Sequence, residues 1–373
     1  MTKFFTKIQQ YCILKYNQYL DYRLMRELLD SVPADAVVVP FEKALLLNQF
    51  KALNTQNGGL MQPVTRPMKK MLMRIAHRVI RNLVGLQDIV GVQPMTMPVG
   101  LVYTLQYSKE SNDTSIKLEI LTHAVQALSR KLQAGWTIEA QQDTNRLHKL
   151  DFESELTHMM ADEIVYELYR EVISDIIRLG QKVVFSFDPA LTNMEDKIQS
   201  LMIQINKSSN DIARRSRRGC GNVIITTPMV ISMLQSNKSL GGMTFVPSDA
   251  TPIYTGELTH FGNMVNTDGS VRYKVLSSLS VSNVAGKDQI VVLYKGTSEV
   301  DTGYIYCPFV PLLSTGVVVD PATFQPCVHF MTRYGKYINE VPDDMSNSGN
   351  YYQVIEVDTM SMLGIEPAPV NNQ

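Results

Sequence analysis

The feature that most narrows what this chain can fold into is a long apolar stripe at helical spacing: Leu156, Met159, Met160, Ile164, Leu168, Val172, Ile176 and Leu179. Gly180 follows as a C-terminal stop. Read from Asp151 to Leu179, such a helix spans roughly 40 Å at about 1.5 Å per residue. That is long for an ordinary globular domain and suits a spine crossing a flat, extended one.

Other elements arrange themselves on either side of it. Residues 3–30 place Phe5, Ile8, Cys12, Tyr16, Tyr19 and Leu20 at mostly three- and four-residue spacing, an amphipathic helix ended by the bend Ser31–Asp35 and then Pro40. A second helix is expected from about Pro67 to Val84 through Met68, Met71, Leu72, Ile75, Val79 and Leu83. Both read as outlying arms. After the spine, a helix opens at Thr192-Asn193-Met194-Glu195, where threonine and glutamate side chains can satisfy free backbone amides, and continues through Ile198, Leu201, Met202, Ile205 and Ile212.

Beyond Gly221 the pattern changes to short strands, Asn222–Thr226, Met243–Val246, Val271–Leu276, Ile290–Tyr294 and Gly303–Tyr306, with turns such as Thr267-Asp268-Gly269 between them. One short helix interrupts them, with Thr227 as cap and Pro228 in its first position. A helix-rich first part and a strand-rich second part give an α+β class.

With 373 residues, 45% hydrophobic and 19% charged, the chain has material for two or three packed domains. Its 35 basic and 36 acidic side chains leave a net charge of -1, so any nucleic-acid role has to be local. The four cysteines form no Cys-x-x-Cys pair, which points to neither zinc nor a disulfide framework and fits a reducing compartment. No signal-peptide core and no run of ~18 apolar residues occurs, so a soluble protein made in the cytoplasm, without membrane contact, is expected.

No phosphate-binding P-loop, Gly-x-Ser-x-Gly elbow or His-Glu-x-x-His helix is present, which lowers the expectation of an enzyme. One coincidence keeps a metal-dependent enzyme open as a rival: Glu-Leu-Thr-His occurs at 155–158 and again at 257–260, and paired Glu-x-x-His helices can bind two metal ions. The bland alternative puts His158 on a solvated helix face and His260 on a sheet surface. The run Arg214-Arg215-Ser216-Arg217-Arg218 can likewise be a phosphate site or a basic helix end that contacts acidic neighbours.

Several stretches resemble the major head proteins of T-even-type tailed phages. They are Gly91-Val92-Gln93-Pro94-Met95 with Pro98-Val99-Gly100-Leu101, then Arg218-Gly219-Cys220-Gly221-Asn222 with Val223-Ile224-Ile225. Tyr294-Lys295-Gly296 follows with Glu299, Asp301, Gly303, Tyr304 and Tyr306, then Cys307 through Leu312, and Asp320-Pro321 through Phe324-Gln325-Pro326 to Thr332-Arg333-Tyr334-Gly335. Together they cover the chain from about Arg66 to Tyr337.

The resemblance implies the Hong Kong ninety-seven type capsid fold. It would comprise an N-terminal arm (1–100), an extended loop (101–135), a peripheral domain with the spine helix (136–219 and 308–373) and an axial domain (220–307). It implies a structural subunit that forms hexamers of itself and a lattice around double-stranded DNA within the virion, alongside vertex protein, scaffold and portal. It implies no catalytic residue, cofactor or metal. A pentameric vertex protein of the same fold is the nearest alternative. Two features depart from the family pattern. Only a short segment lies between Tyr103 and Gly135, where the family carries a large insertion. Glu27 and Glu42 follow Met25 and Pro40 at the position where the family's processing protease takes Leu or Ile.

Two sets of site residues follow. Tyr103, Leu105 and Tyr107 alternate with Thr104 and Gln106, and Ile116, Leu118 and Ile120 alternate with Lys117 and Glu119, around the polar stretch Ser108–Ser115. Leu101–Leu121 is thus expected to be a hairpin with one apolar face, covered either by a neighbouring subunit or by its own core. Segment 43–87 holds Lys43, Lys51, Arg66, Lys69, Lys70, Arg74, Arg78 and Arg81 and no acid, so it is either an arm facing the shell interior, meeting scaffold or genome, or a solvated arm helix.

Overall fold

The computed structural model describes residue 23 and residues 40–55, 66–109, 116–148, 152–187, 193–236, 242–248, 258–281, 287–320, 325–341 and 347–358. The helix expected over 3–30 lies outside them, apart from Arg23, which is helical. The chain divides into two compact units, residues 1–81, 129–161 and 309–333, and residues 82–128, 162–308 and 334–373.

The first unit contains helix α1 (Pro40–Thr55) and most of α2 (Arg66–Leu83). Pro40 opens α1, where a missing N–H costs nothing, instead of only ending what precedes it. Leu45 and Leu46 of α1 and Leu72, Met73, Ile75, Ala76, Val79 and Ile80 of α2 are buried. Gln49 reaches from α1 to strand β11 (Tyr304–Val319), accepting from the Leu312 N–H at 3.1 Å and donating to the Leu312 carbonyl. Beside β11 lies β12 (Pro326–Ile338), and beyond β12 lies β4 (Leu128–Gly135). Helix α3 (Ile138–His148) was not anticipated. Thr137 accepts from the Ala140 N–H at 3.2 Å, and the Trp136 indole donates to Gln141 at 3.0 Å.

Helix α4 (Phe152–Leu179) is the expected spine, with Ile164, Leu168, Val172 and Ile176 buried. The second unit is built on a seven-stranded sheet. Its order is β5 (Gln181–Phe185), β13 (Tyr352–Val357), β10 (Asp288–Leu293), β6 (Val223–Thr226), β9 (Val271–Ser278), β8 (Leu258–Asn266) and β7 (Met243–Pro247). The sheet is mixed: β13–β5 and β6–β9 are parallel, and the other pairs antiparallel. Helices α5 (Met194–Ser216) and α6 (Pro228–Ser236) cover it, packing Ile198, Leu201, Ile205, Val230 and Leu234 onto Ile224, Val275, Ile290 and Val292. Asn193 is the cap of α5, not Thr192 as expected, and its amide donates to Asp196 at 3.2 Å.

From this unit rises a two-stranded hairpin, β2 (Val99–Lys109) and β3 (Ile116–Gln126). Its register runs from Val99 opposite Gln126 to Lys109 opposite Ile116. Short strand β1 (Gly91–Val92) precedes it and pairs in parallel with the start of β11.

Candidate functional site

Alternation along a strand sends successive side chains to opposite faces, and register partners share a face. One face of the hairpin carries Val102, Thr104, His123 and Val125 and is rooted. Val102 and Val125 are buried, the His123 ring stacks on Tyr337 at 4.3 Å between centroids, and His123 Nε2 lies 3.1 Å from Thr104 Oγ1. Gly335 makes this approach possible, since a Cβ there would sit 2.5 Å from Val125.

The other face carries the predicted apolar residues. Leu105 is opposite Ile120 and Tyr107 opposite Leu118, with Ile116 opposite Lys109. Val99, Leu101, Tyr103 and Ile120 on this face are 57%, 61%, 47% and 64% exposed, and Leu105 is half-buried. The side chains of Tyr107, Ile116 and Leu118 lie outside the described part.

At the hairpin root three loops converge. Helix α5 ends at Arg217, a non-glycine residue in the left-handed region (φ 53) whose N–H donates to the Ala213 carbonyl at 2.9 Å. That turn delivers Arg218 inward, where its side chain is 4% exposed. One guanidinium nitrogen donates to Asp301 Oδ1 at 2.6 Å and another to the Leu105 carbonyl of β2. Tyr294 donates its hydroxyl to the second Asp301 oxygen at 3.0 Å. Gln93 completes the clamp: its amide nitrogen donates to the Tyr103 carbonyl at 2.9 Å, and its amide oxygen accepts from the Tyr103 N–H at 3.0 Å. Glu299 accepts from the Val92 N–H at 2.7 Å, and buried Lys295 donates to the Gly296 and Ser298 carbonyls. Asn222 ties the same loop to the sheet, donating to the Lys295 carbonyl at 2.7 Å and accepting from its N–H at 3.0 Å.

Three glycines let these loops meet. A Cβ on Gly91 would strike the Glu299 carbonyl, one on Gly296 the Asp301 carboxylate, and one on Gly219 would lie 2.5 Å from the Tyr294 ring. These are the stretches on which the family resemblance stands. The hub itself was not foreseen, because Arg218 is 83 residues from Asp301 and 113 from Leu105.

The basic run therefore does not act as one patch. Arg214 is exposed beside Asp211 at 3.4 Å, Arg215 donates to Gln353 at 3.0 Å, and Arg218 is buried in the hub. The two Glu-Leu-Thr-His copies fall on unlike elements: the first lies on α4, while Leu258, Thr259 and His260 of the second belong to β8. Residues three apart on a strand point to opposite faces, so the paired-helix geometry for two metals does not arise. His260 Nε2 instead lies 3.1 Å from Asn263.

Of the basic arm, Lys69, Lys70, Arg74, Arg78 and Arg81 all lie on α2. Arg74 and Arg78 are exposed, Arg81 is half-buried, and the side chains of Lys69 and Lys70 lie outside the described part. Among the described residues no helix is long and apolar enough to cross a membrane.

The family described as major capsid protein Gp23 matches residues 66–117 and 114–357. The major capsid protein of Vibrio phage KVP40 is 30% identical over 260 residues, 65% of this chain and 48% of that protein. That of Enterobacteria phage T4 is 30% identical over 236 residues, 58% of this chain and 43% of that protein. The chain thus spans about half the length of the curated relatives it matches. Among solved structures, the capsid of Myoviridae phage XM1 aligns at TM-score 0.39 and 13% identity over 74% of this chain and 92% of that one. With the family matched from residue 66 to residue 357, through every loop of the hairpin root, the chain belongs to the major capsid protein Gp23 family.

Proposed function

We propose that this chain is a shell-building subunit, a major capsid protein with no catalytic role, whose copies form hexameric capsomers that tile a phage head around double-stranded DNA. The observation that carries this reading is the open face of the hairpin, where Val99, Leu101, Tyr103 and Ile120 stand in solvent. A lone two-stranded hairpin is marginal in water, and a contiguous apolar patch of this kind marks a surface built to be covered. A neighbouring subunit supplies that cover.

On this reading the fold is of the Hong Kong ninety-seven type. Residues 1–100 act as the arm, 101–135 as the extended loop, 136–219 with 308–373 as the peripheral domain and 220–307 as the axial domain. The basic face of α2 turns to the shell interior and meets scaffold or packaged DNA through non-specific phosphate contacts. Vertex protein and portal complete the particle, which assembles in the host cytoplasm and persists as the virion shell.

Sedimentation velocity and negative-stain electron microscopy of the expressed chain, alone and with its scaffold, test this reading. Rings of six or closed shells are expected. Rings of five would reassign the chain to the vertex, and a chain that stays monomeric with scaffold across salt and concentration series would overturn the proposal.

A further inference from the structure

We infer that Gln93, Arg218 and Asp301 are positioning residues that fix the direction in which the β2–β3 hairpin leaves its own unit. The purpose of that presentation rests on the assembly reading above, whereas the coupling of hub to hairpin does not.

The argument starts from the free edge of β2. In a two-stranded ribbon every second residue of each strand turns its N–H and C=O away from the partner, where a third strand would bind. Among the described residues strand β2 has no third strand beside it, since the hairpin is a two-stranded sheet. At Tyr103 the Gln93 carboxamide makes the paired bonds that a strand residue would make, one donated and one accepted. Two residues on, along the same edge, Arg218 donates to the Leu105 carbonyl. Two side chains thus occupy the place of a strand, and each is itself held. Gln93 also donates to the Glu299 carbonyl at 3.3 Å, and Arg218 is braced by Asp301, which Tyr294 holds in turn.

The packing around Gly91, Gly219 and Gly296 leaves no slack for the three loops to move independently. A ribbon gripped on one face by Val102, His123 and Val125 and along one edge by the hub has a single exit angle. Without the edge grip, only the face contact remains, and the ribbon can rock about it.

Pulsed electron–electron resonance on the unassembled full chain measures that angle. Spin labels go on the exposed positions of Thr122→Cys in β3 and Gln199→Cys in α5, with Cys12 and Cys220 replaced by serine. The parent should give one narrow distance distribution. Gln93→Ala removes the clamp without stranding a charge, and Arg218→Lys keeps a cation for Asp301 but lacks the fork that also reaches Leu105. Both should broaden the distribution about twofold or more, while the melting temperature stays close to the parent's because the sheet is untouched. Asp301→Asn should broaden it as well.

A broad distribution in the parent overturns the inference. So does a narrow one that survives both Gln93→Ala and Arg218→Lys, or broadening seen only with loss of the folded sheet. If Arg218→Lys does not fold, Gln93→Ala alone decides. Because the readout is taken on monomer, a chain that never forms shells would sink the assembly reading and leave this result standing.

Discussion

Glu42 of α1 and His77 of α2 face each other inside the first unit, with His77 Nε2 3.2 Å from Glu42 Oε1 and the carboxylate almost wholly buried. Burial pushes the imidazole pKa below its ordinary 6.5; the Glu42 carboxylate pulls it up, and the Arg81 guanidinium pushes it further down. Below about pH 6.5 the unfolded chain therefore takes up a proton that the folded chain resists. The stability contributed by neutral His77 is present above that pH and is lost as pH falls through the lower folded value. Melting temperature recorded from about pH 7.5 to about pH 5 should fall less steeply in His77→Gln than in the parent; parallel profiles would show that His77 is not the titrating group. Glycine at the hub offers a second test at this scale. Gly219→Ala places a methyl 2.5 Å from the Tyr294 ring, and overpacking of this kind costs about 1–3 kcal/mol, to be read as a lower urea midpoint.

At the scale of elements, legibility followed periodicity. The spine α4 was readable because residues 164, 168, 172 and 176 repeat at one helical face, and the hairpin because its strands alternate. The sequence pattern marks strand β11 only over Gly303–Tyr306: residues 302–308 are all buried, which erases the two-residue alternation, and a proline has no N–H to give a sheet ladder. In the fold Pro308 needs no N–H, and its carbonyl accepts from Met95 at 2.9 Å. Helix α1 leaves little trace in the pattern, because Pro40 fits the end of one element as well as the start of the next and Leu45-Leu46-Leu47 has no helical period of its own. The hub was illegible for a different reason: each of its pairs joins residues that only the folded loops bring together. On α2, exposed Arg74 and Arg78 sit one turn apart and give a testable charge. If they touch phosphate, the salt slope of duplex DNA binding should shrink by about 0.9 for each one neutralised, so Arg74→Gln with Arg78→Gln should lose about 1.8. An unchanged slope removes the genome contact and leaves scaffold or solvent on that face.

For the whole molecule, assembly turns on whether the open hairpin face is covered by a second copy. Covering one large aliphatic side chain contributes ~1.5–3 kcal/mol, so losing Leu101 and Ile120 together removes about 3–6 kcal/mol from each subunit contact. That weakens the contact by about a hundredfold or more, and every contact in a ring is affected alike. The same two residues are 61% and 64% exposed in the single chain, where replacing surface side chains shifts stability by only about 0.5 kcal/mol. Leu101→Ser with Ile120→Ser should therefore sediment as monomer under conditions where the parent forms capsomers, with a nearly unchanged thermal melt. Val102→Ser supplies the control from the opposite face: Val102 is 1% exposed, so its loss should lower the melt of the monomer itself. Normal capsomers from the double variant, or a double variant that unfolds as Val102→Ser does, would show that the hairpin's open face is covered by its own subunit and not by a neighbour.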